Sequence, residues 1–421
     1  MKKVKALFLI CLALILTAGI TLACIFIAKN QNQKKNITIA FFDTDSSVET
    51  AVNKVAEAFA GENELKINII SLNHESPLSS QIKKAKPDVI FAPAGYAQKS
   101  ALEASESLNK KAKTGIKSQA LEGLFSSMRE STITKDGLAV ALPLVFDNFE
   151  INIEKSAFYM SGMKSIASWD DITEFSKIQQ KKPETGLQYP VSLAGAEPVL
   201  LLDFFGALGE AFEGIEAYNK AAEILIQASE DAAAGKDFDA NKIANDLFVV
   251  PDAPLAYPLY YINQYRKNNY LTPAFRQLIN SDINAYIQQR LTNVFFTTLS
   301  IHRTYDVRAI ERYSSIYVPS KNRPEQRHFT ATITYAIPSS KKANTQKLME
   351  YLLTAETQGR LSQITGLAPV LANCPTPDQQ ADDARFWVAA TSAPVAGLGH
   401  EAYFTPAQQQ QLRDVILGLM Y

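Results

Sequence analysis

The chain has 421 residues, of which 47% are hydrophobic and 20% are charged. This length and composition allow a sizeable core in two or three lobes, and they exclude a disordered chain and a coiled coil. The 42 basic and 43 acidic residues give a formal net charge of -1 with no basic block, so no nucleic-acid partner is expected.

Cysteine and histidine are sparse. Cys11 and Cys24 lie in the N-terminal apolar run, which leaves only Cys374 in the rest and excludes an internal disulfide there. The four histidines are scattered, and no pair has metal-ligand spacing. We therefore expect neither a metal nor another cofactor.

The N-terminus has the pattern of an export signal. Lys2, Lys3 and Lys5 precede an apolar run over 6–28. The run can be cleaved as a signal peptide, cut before Cys24 so that this cysteine carries lipid, or left uncut. An uncut run of 23 residues at about 1.5 Å per residue spans the roughly 30 Å hydrocarbon core. Lipidation and an uncut anchor both leave the protein exported and anchored on the outer side of the membrane.

Alternating strand and helix patterns follow the anchor segment 1–28 and the polar tether 29–36. Because parallel strands are joined by helices, this order predicts a parallel α/β sheet, whose strands bind ligands at their carboxyl ends. The predicted elements are strands over 37–42, 66–72 and 89–91, a helix over 48–60 capped by Ser46 or Ser47, and a helix from Gln98.

A long strand-like stretch over 137–153 contains Pro143, which cannot donate to a sheet and is expected at an edge or at a crossing between domains. Ser168 is predicted to cap a helix that runs through Lys177. Beyond it, the patterns predict mostly helix over 195–290, a strand over 294–299, a helix near 304–313, a strand over 329–337, and helices over 344–353, 357–364 and 406–417.

Five segments, in order, are similar to the extracellular solute-binding family that includes maltose- and other sugar-binding proteins. They are Pro87-Asp88-Val89-Ile90-Phe91, the stretch 137–155, Gly162-Met163 with Ser168-Trp169-Asp170-Asp171, the stretch 332–353, and the stretch 355–369. Each motif alone is weak, but their order over about 36–373 makes the resemblance specific.

This resemblance implies an α/β periplasmic-binding-protein fold, in which two discontinuous lobes close by a hinge around a central ligand cleft. The chain would cross between lobes at about 143–150, 311–317 and 354–360. The first lobe would then comprise 37–145 with 314–355, and the second 146–313 with 356–421.

Two departures from the family pattern bear on the ligand. The family's strand ends in Tyr-Asn-Lys, whereas this one ends in Ile153-Glu154-Lys155. Many sugar-binding members carry a glycine and a tryptophan near the second-lobe strand, and the stretch 293–303 has neither. Sugar sites stack ring faces on aromatic side chains. Tyrosine can replace tryptophan in that role, so the ligand class stays open.

Candidate ligand contacts of the first lobe follow its strands. Asp43 and Asp45 come after the first strand, where carboxylates either accept from sugar hydroxyls or serve helix capping. Pro93 and Tyr96 follow the third strand, at the family's cleft loop or in an ordinary turn.

Other candidates lie at the first crossing and beyond it. Asp147 and Asn148 are favoured, because Asp147 aligns with an acidic cleft residue of the relatives. Tyr260 lies in an aromatic stretch that fits a cleft or a core equally. Arg303 and Tyr305 follow a second-lobe strand, and Arg303 suits either a carboxylate ligand or a surface salt bridge. Both Trp169 and Trp387 fit core packing, with a stacking platform for the ligand as the alternative for Trp169 and ligand contact as the alternative for Trp387.

Enzyme signatures are missing from the sequence: it has no phosphate-binding glycine loop with lysine and no Gly-x-Ser-x-Gly elbow. The resemblance instead implies a monomeric solute-binding component of an ABC importer. Such a protein captures a small solute, with carbohydrate favoured, and delivers it to a membrane permease. The alternative is a degenerate surface lipoprotein of the same fold that transports nothing.

Overall fold

The computed structural model describes residues 36–108, 115–117, 121–180, 189–321, 330–389 and 394–420. The export signal, Cys24 and the tether up to residue 35 lie outside the described residues. Within these ranges, no helix is both long enough and apolar enough to cross a membrane.

The strands of the described residues fall into two groups that share one long strand. In chain order they are β1 (Asn36–Phe42), β2 (Lys66–Leu72), β3 (Val89–Pro93), β4 (Ile116–Lys117), β5 (Ile133–Lys135), β6 (Leu138–Glu154), β7 (Val191–Ser192), β8 (Val294–Thr298), β9 (Tyr313–Ile316), β10 (Ala331–Pro338) and β11 (Ala368–Pro369).

The helices cover both groups of strands. In chain order they are α1 (Ser46–Glu62), α2 (Leu78–Ala85), α3 (Tyr96–Leu108), α4 (Ser126–Ser131), α5 (Lys155–Ser161), α6 (Trp169–Gln180), α7 (Pro198–Glu213), α8 (Ile215–Ala233), α9 (Ala240–Phe248), α10 (Ala256–Lys267), α11 (Asn280–Gln289), α12 (Leu299–His302), α13 (Val307–Ile310), α14 (Ala343–Leu352), α15 (Ala355–Thr365), α16 (Gln379–Ala389) and α17 (Pro406–Leu419). Short 3-10 turns occupy Pro273–Arg276 and Leu398–His400.

The first sheet has the order β2-β1-β3-β10-β6. Strand β1 pairs in parallel with β2 and with β3, while β10 runs antiparallel to both β3 and β6. Both faces of β1 are buried, since the consecutive residues Ile39, Ala40 and Phe41 are almost fully buried, and this suits its apolar sequence. The carboxyl ends of β1 and β3 therefore meet at one edge of the sheet. This confirms the predicted α/β fold.

Strand β6 continues from the first sheet into the second, where it pairs with β8 and β9. The hydrophobic core changes along this strand, because Phe146 packs in the first core and Phe149 in the second. Pro143 lies opposite Tyr335, where a bulge shifts the register, and between the residues of β6 that pair with β5 and with β11. The missing N–H of proline is thus accommodated at an irregular point inside the sheet.

The second lobe has a strongly aromatic core. Trp169 is fully buried, lies nearly parallel to Phe296 at a ring-centroid distance of 6.0 Å, and meets Phe212 edge-on at 5.2 Å. The Ser168 hydroxyl accepts from the Asp171 backbone N–H at 3.2 Å at the start of α6. The predicted core role of Trp169 and the Ser168 cap are both confirmed.

The lobe boundaries differ from those expected near the C-terminus. Leu361, Leu371 and Val388 pack in the first core, and Leu398 is the next residue to join the second. The third crossing therefore lies near 396–398 rather than at 354–360, because α15, β11 and α16 fold back onto the first sheet. Residues 361–389 were expected in the second lobe and belong to the first.

Two local predictions are corrected. The helix expected near 304–313 is present but spans only Val307–Ile310 (α13), and strand β9 follows it because residues 313–316 pair with β6. The N-cap position of α1 is occupied by Asp45, whose side chain makes no capping hydrogen bond, while the predicted caps Ser46 and Ser47 both lie inside the helix. Whether a segment pairs with a distant strand depends on the tertiary structure. The exact start of a helix is likewise not set by the local sequence alone.

We expect Gly206→Ala to destabilise the protein by about 1–3 kcal/mol, because overpacking a rigid contact costs this much. A Cβ at Gly206 would lie 2.5 Å from the Leu398 Cβ, where α7 meets the third crossing. The control is Gly61→Ala in α1, whose Cβ would have no neighbour within 4 Å and whose helix propensity would improve by up to about 1 kcal/mol. Urea unfolding of the three proteins measures both effects, and equal stabilities would contradict the packing.

Candidate functional site

A cleft of about 400 Å³ lies between the two lobes. The first lobe contributes the carboxyl ends of β1 and β3 and the side chains of Thr332 and Thr334 from β10. The second lobe contributes the end of β8, the start of α7 and His400. Asp147 lines the cleft at the point where β6 passes from one core to the other.

The loop after β1 forms one wall of the cleft. Asp43 has a positive φ of 54°, which aspartate tolerates better than most residues. Its carboxylate pairs with the His74 imidazole at 2.8 Å. The Thr44 hydroxyl donates to the Phe91 carbonyl of β3 at 3.1 Å and fixes the loop. Asp45 begins α1, and its exposed carboxylate makes no capping hydrogen bond.

Asp147 of β6 is hydrogen-bonded to Ser300 of the second lobe. Its carboxylate accepts from the Ser300 backbone N–H at 2.8 Å and from the Ser300 hydroxyl at 2.5 Å. Burial raises the pKa of Asp147 above its ordinary value of 3.8 to about 6. The Ser300 hydrogen bonds oppose this rise, and the charge of Asp45 adds to it. The site therefore holds an acidic group that titrates near neutral pH.

The opposite wall carries a second buried carboxylate. Asp203 of α7 accepts from the Gly399 N–H at 2.8 Å and lies 3.8 Å from the His400 Nε2. Burial raises its pKa, against the lowering effect of His400. A Cβ at Gly397 would lie 2.4 Å from the Asp203 Oδ1, so the close approach requires glycine there. Glu197 completes the wall.

Behind the loop that carries Asp43, rings from both lobes, His74, Tyr96 and Tyr403, form a stack that we call the ring stack. The His74 and Tyr403 rings lie 3.6 Å apart and within 9° of parallel. Beside them, the Lys99 ammonium pairs with the Glu401 carboxylate at 2.6 Å. Tyr96 thus contacts the other lobe instead of lining the cleft, and it borders a neighbouring cavity of about 410 Å³.

The other face of β6 carries a buried polar network. Glu150 is fully buried and pairs with the His302 Nδ1 at 2.8 Å, while the Gln380 amide donates to both its oxygens at 2.8 Å. Asn148 is also fully buried, with its amide 3.5 Å from Glu150. Because successive strand residues point to opposite faces, Asn148 points away from the cleft that Asp147 lines.

The remaining predicted contacts also lie away from the cleft. Arg303 pairs with Asp378 and donates to the Gly366 carbonyl at 3.0 Å, which matches the salt-bridge alternative. Arg303 and the buried Tyr305 border a cavity of about 500 Å³ that is also lined by His302 and Gln380 of the buried network. The side chain of Tyr260 is 56% exposed on α10. Trp387 is half-buried, edge-on to Tyr317 at 6.0 Å.

Asp43, Asp45, Pro93 and Asp147 are therefore the predicted contacts that line the cleft. Sequence reasoning missed most second-lobe contributors, which are Glu197, Asp203, Asn280, Thr298, His400 and Gln409. The alternation of Thr332 and Thr334 on a predicted strand was a usable signal, since such residues share one face. Among the described residues, no cluster of three or more His, Cys, Asp or Glu side chains is arranged to hold a metal ion.

Comparison with known proteins places the fold. No protein-family model matches the chain, and no curated protein matches it by sequence. Among solved structures, the bacterial solute receptor AcbH matches with a TM-score of 0.65 at 12% identity, covering 90% of this chain and 96% of AcbH. A probable secreted solute-binding lipoprotein from Streptomyces coelicolor matches at 0.62 and 11%, covering 90% and 98%. RafE in complex with raffinose matches at 0.57 and 14%, covering 91% and 100%. The chain thus has the two-lobed fold of these solute-binding proteins.

The raised pKa of Asp147 predicts a pH-dependent effect of Asp147→Asn. The folded state holds the Asp147 proton more tightly than the unfolded chain, so the side chain contributes stability below about pH 4 that is lost as pH rises through about 6. Asparagine has no such proton. We expect the melting temperature of the variant minus that of the wild type to rise between about pH 4 and 6 and then level off.

Circular dichroism melts at intervals from pH 4 to 8 measure this difference. Ser300→Ala is a second test. It removes a hydrogen bond that lowers the Asp147 pKa, so the pH at which Asp147 loses its proton should move higher. A difference for Asp147→Asn that stays constant over the range would contradict the raised pKa.

The ring stack predicts that Tyr403→Ala opens the lobes. An aromatic pair contributes about 0.5–1.5 kcal/mol beyond its buried area, and loss of the contact with His74 shifts the population toward the open form. Small-angle X-ray scattering of the ligand-free variant should show a larger radius of gyration. Tyr260→Ala removes an exposed tyrosine outside the cleft and should leave the radius unchanged. Identical scattering from both variants would count against the stack as a closing contact.

Proposed function

We propose that the chain is the solute-binding component of an ABC importer, outside the cytoplasmic membrane. It captures a small solute between its lobes, with carbohydrate as the first class to test, and delivers it to a membrane permease. The observation that carries the proposal is the cleft of about 400 Å³, lined from both lobes at the carboxyl ends of strands. Its volume falls within the roughly 300–1,000 Å³ of small-molecule sites.

The hydrogen-bonding groups of the cleft support a hydroxyl-bearing solute. Thr298, Ser300, Thr332 and Thr334 line it together with carboxylates, and hydroxyl and carboxylate groups are suitable partners for solute hydroxyls. The reported preference of AcbH for β-D-galactopyranose and the raffinose bound to RafE agree with this class.

Contributions from both lobes support a hinge mechanism. A solute that touches Asp45 on one lobe and Glu197 on the other binds the closed form more tightly than the open form. It therefore shifts the population toward closure by the difference between those affinities. The closed monomer then docks on the permease, which separates the lobes and releases the solute. This role needs binding and no chemical step, so the proposal assigns no catalytic residue.

Residues 1–35 complete the proposal. Their basic start and apolar run suit export and attachment to the outer side of the membrane, by lipid on Cys24 or by an uncut helix. A tethered binder stays close to its permease, which raises the effective concentration of the docking partner. The Streptomyces coelicolor protein of the same fold is described as a secreted lipoprotein, which agrees with this location.

A thermal-shift screen over sugars, oligosaccharides, polyols, amino acids and peptides tests the binding role. A solute at 100 times its Kd adds about 2.7 kcal/mol to the stability of the folded state and raises its melting temperature. Asp147→Ala should abolish or greatly reduce the shift for an active solute, whereas Tyr260→Ala should retain it because Tyr260 lies outside the cleft. No shift by any solute class would overturn the importer role in favour of a non-transporting surface protein of the same fold.

A further inference from the structure

The charge that lines the cleft is one-sided. Its carboxylates are Asp43, Asp45, Asp147, Glu197 and Asp203, and the one lining side chain that can carry a positive charge, among the described residues, is His400. A crevice walled by charges of one sign focuses its field on the solute. An anionic solute would meet repulsion from both lobes.

Three of these carboxylates have no cationic partner among the described residues. His74 pairs with Asp43, and His400 lies 3.8 Å from Asp203. Asp147 accepts from the N–H and hydroxyl groups of Ser300 and from the Thr298 hydroxyl, which are all neutral donors. Such neutral donors compensate a carboxylate less than a cation does.

Glu197 and Asp45 likewise have no cationic partner among the described residues. Glu197 accepts from the Asn280 N–H at 3.3 Å, and the Asp45 carboxylate makes no capping hydrogen bond. The charge of Asp45 reaches Asp147, where it opposes loss of the Asp147 proton. A cation placed between these two side chains relieves their repulsion and stabilises both ionised forms.

The rest of the lining indicates what carries that cation. Hydroxyls of Thr298, Ser300, Thr332 and Thr334 face the same space. No Phe, Tyr or Trp lines the cleft among the described residues, so a ring-stacking platform for a neutral sugar is not provided there. Polar and charge-assisted contacts must then supply most of the affinity.

We propose that the solute is a polyhydroxylated amine, an amino sugar or aminocyclitol, whose ammonium group is held by Asp147 and Asp45. The carboxylates accept charge-assisted hydrogen bonds from the ammonium, and the threonine and serine hydroxyls bind the hydroxyls of the solute. This assignment rests on the proposed solute-binding role and names the chemical class for the same cleft.

Pairs that differ by acetylation of their amino groups, which removes the positive charge and adds an acetyl group, test the proposal. Glucosamine is compared with N-acetylglucosamine, galactosamine with N-acetylgalactosamine, and chitosan disaccharide with its diacetylated form, with 2-deoxystreptamine as the aminocyclitol. Isothermal titration at pH 7.5 should give at least one amine a Kd about 10- to 100-fold lower than its acetylated partner, the range of a hydrogen bond to a charged group. Magnesium chloride and ammonium chloride alone serve as controls for bare cations.

Two variants locate the effect. Asp147→Asn keeps the shape of the side chain and removes its charge, and it should reduce the preference for amine over acetylated partner by about tenfold or more. Asp45→Asn should reduce the preference in the same direction. Because Asp45 is exposed and makes no capping hydrogen bond, this variant should fold even if Asp147→Asn is unstable. Asp246→Asn, on α9 in the outer groove of the second lobe, is the matched control and should keep the preference.

The outcomes separate this assignment from the binding role. Neutral sugars that bind as tightly as their amines, or a preference that survives both Asp147→Asn and Asp45→Asn, would overturn the amine assignment and leave solute binding in place. Equal heats from magnesium or ammonium alone would also overturn it, in favour of a bare cation site. If neither the amines nor the neutral solutes bind, both the amine assignment and the solute-binding role are overturned.

Discussion

The structure depends on one strand shared by two sheets. From Phe149 onward, the odd-numbered side chains of β6 enter the second core, while the even-numbered ones form the buried network around Glu150. Asp147, one step before Phe149 on the same face, is left at the gap between the cores and so lines the cleft. The period of two in a strand thus places a carboxylate that faces the cleft and a carboxylate in the buried network on opposite faces, three residues apart.

The two sides of the cleft are joined by contacts of different strength. On the side of this network, the fully buried Glu150 links the buried His302 of the second lobe to the half-buried Gln380 of the first. A buried carboxylate that loses its partners costs several kcal/mol. On the far side the lobes meet through Tyr403 and the ion pair of Lys99, whose side chain is 52% exposed, and exposed ion pairs contribute about 0–1 kcal/mol. The cleft therefore opens at the ring stack and pivots at Glu150.

The difference between the two sides of the cleft also affects how its carboxylates approach one another. Asp147 lies at the pivot and is bound by Ser300 of the second lobe, so it stays in place while Asp43 and Asp45 move with the first lobe. Closure then brings the first-lobe carboxylates toward Asp147 and Glu197. Like charges resist that approach. Under the proposed function, a solute that supplies partners for them offsets this electrostatic cost, so an occupied cleft closes more readily than an empty one.

The sequence by itself determined what depends on neighbours along the chain: the strands of the first sheet, the helical 195–290 region, the core position of Trp169, and Asp43, Asp45 and Pro93 at strand ends. These follow from hydrophobic period and turn chemistry, which act over a few residues. Only the tertiary structure decided that 361–389 return to the first lobe, that Asn148 points away from the cleft, and that Arg303 is paired with Asp378. Asp203 and His400 likewise became one wall of the cleft only through folding, because contacts between residues 197 positions apart leave no local pattern.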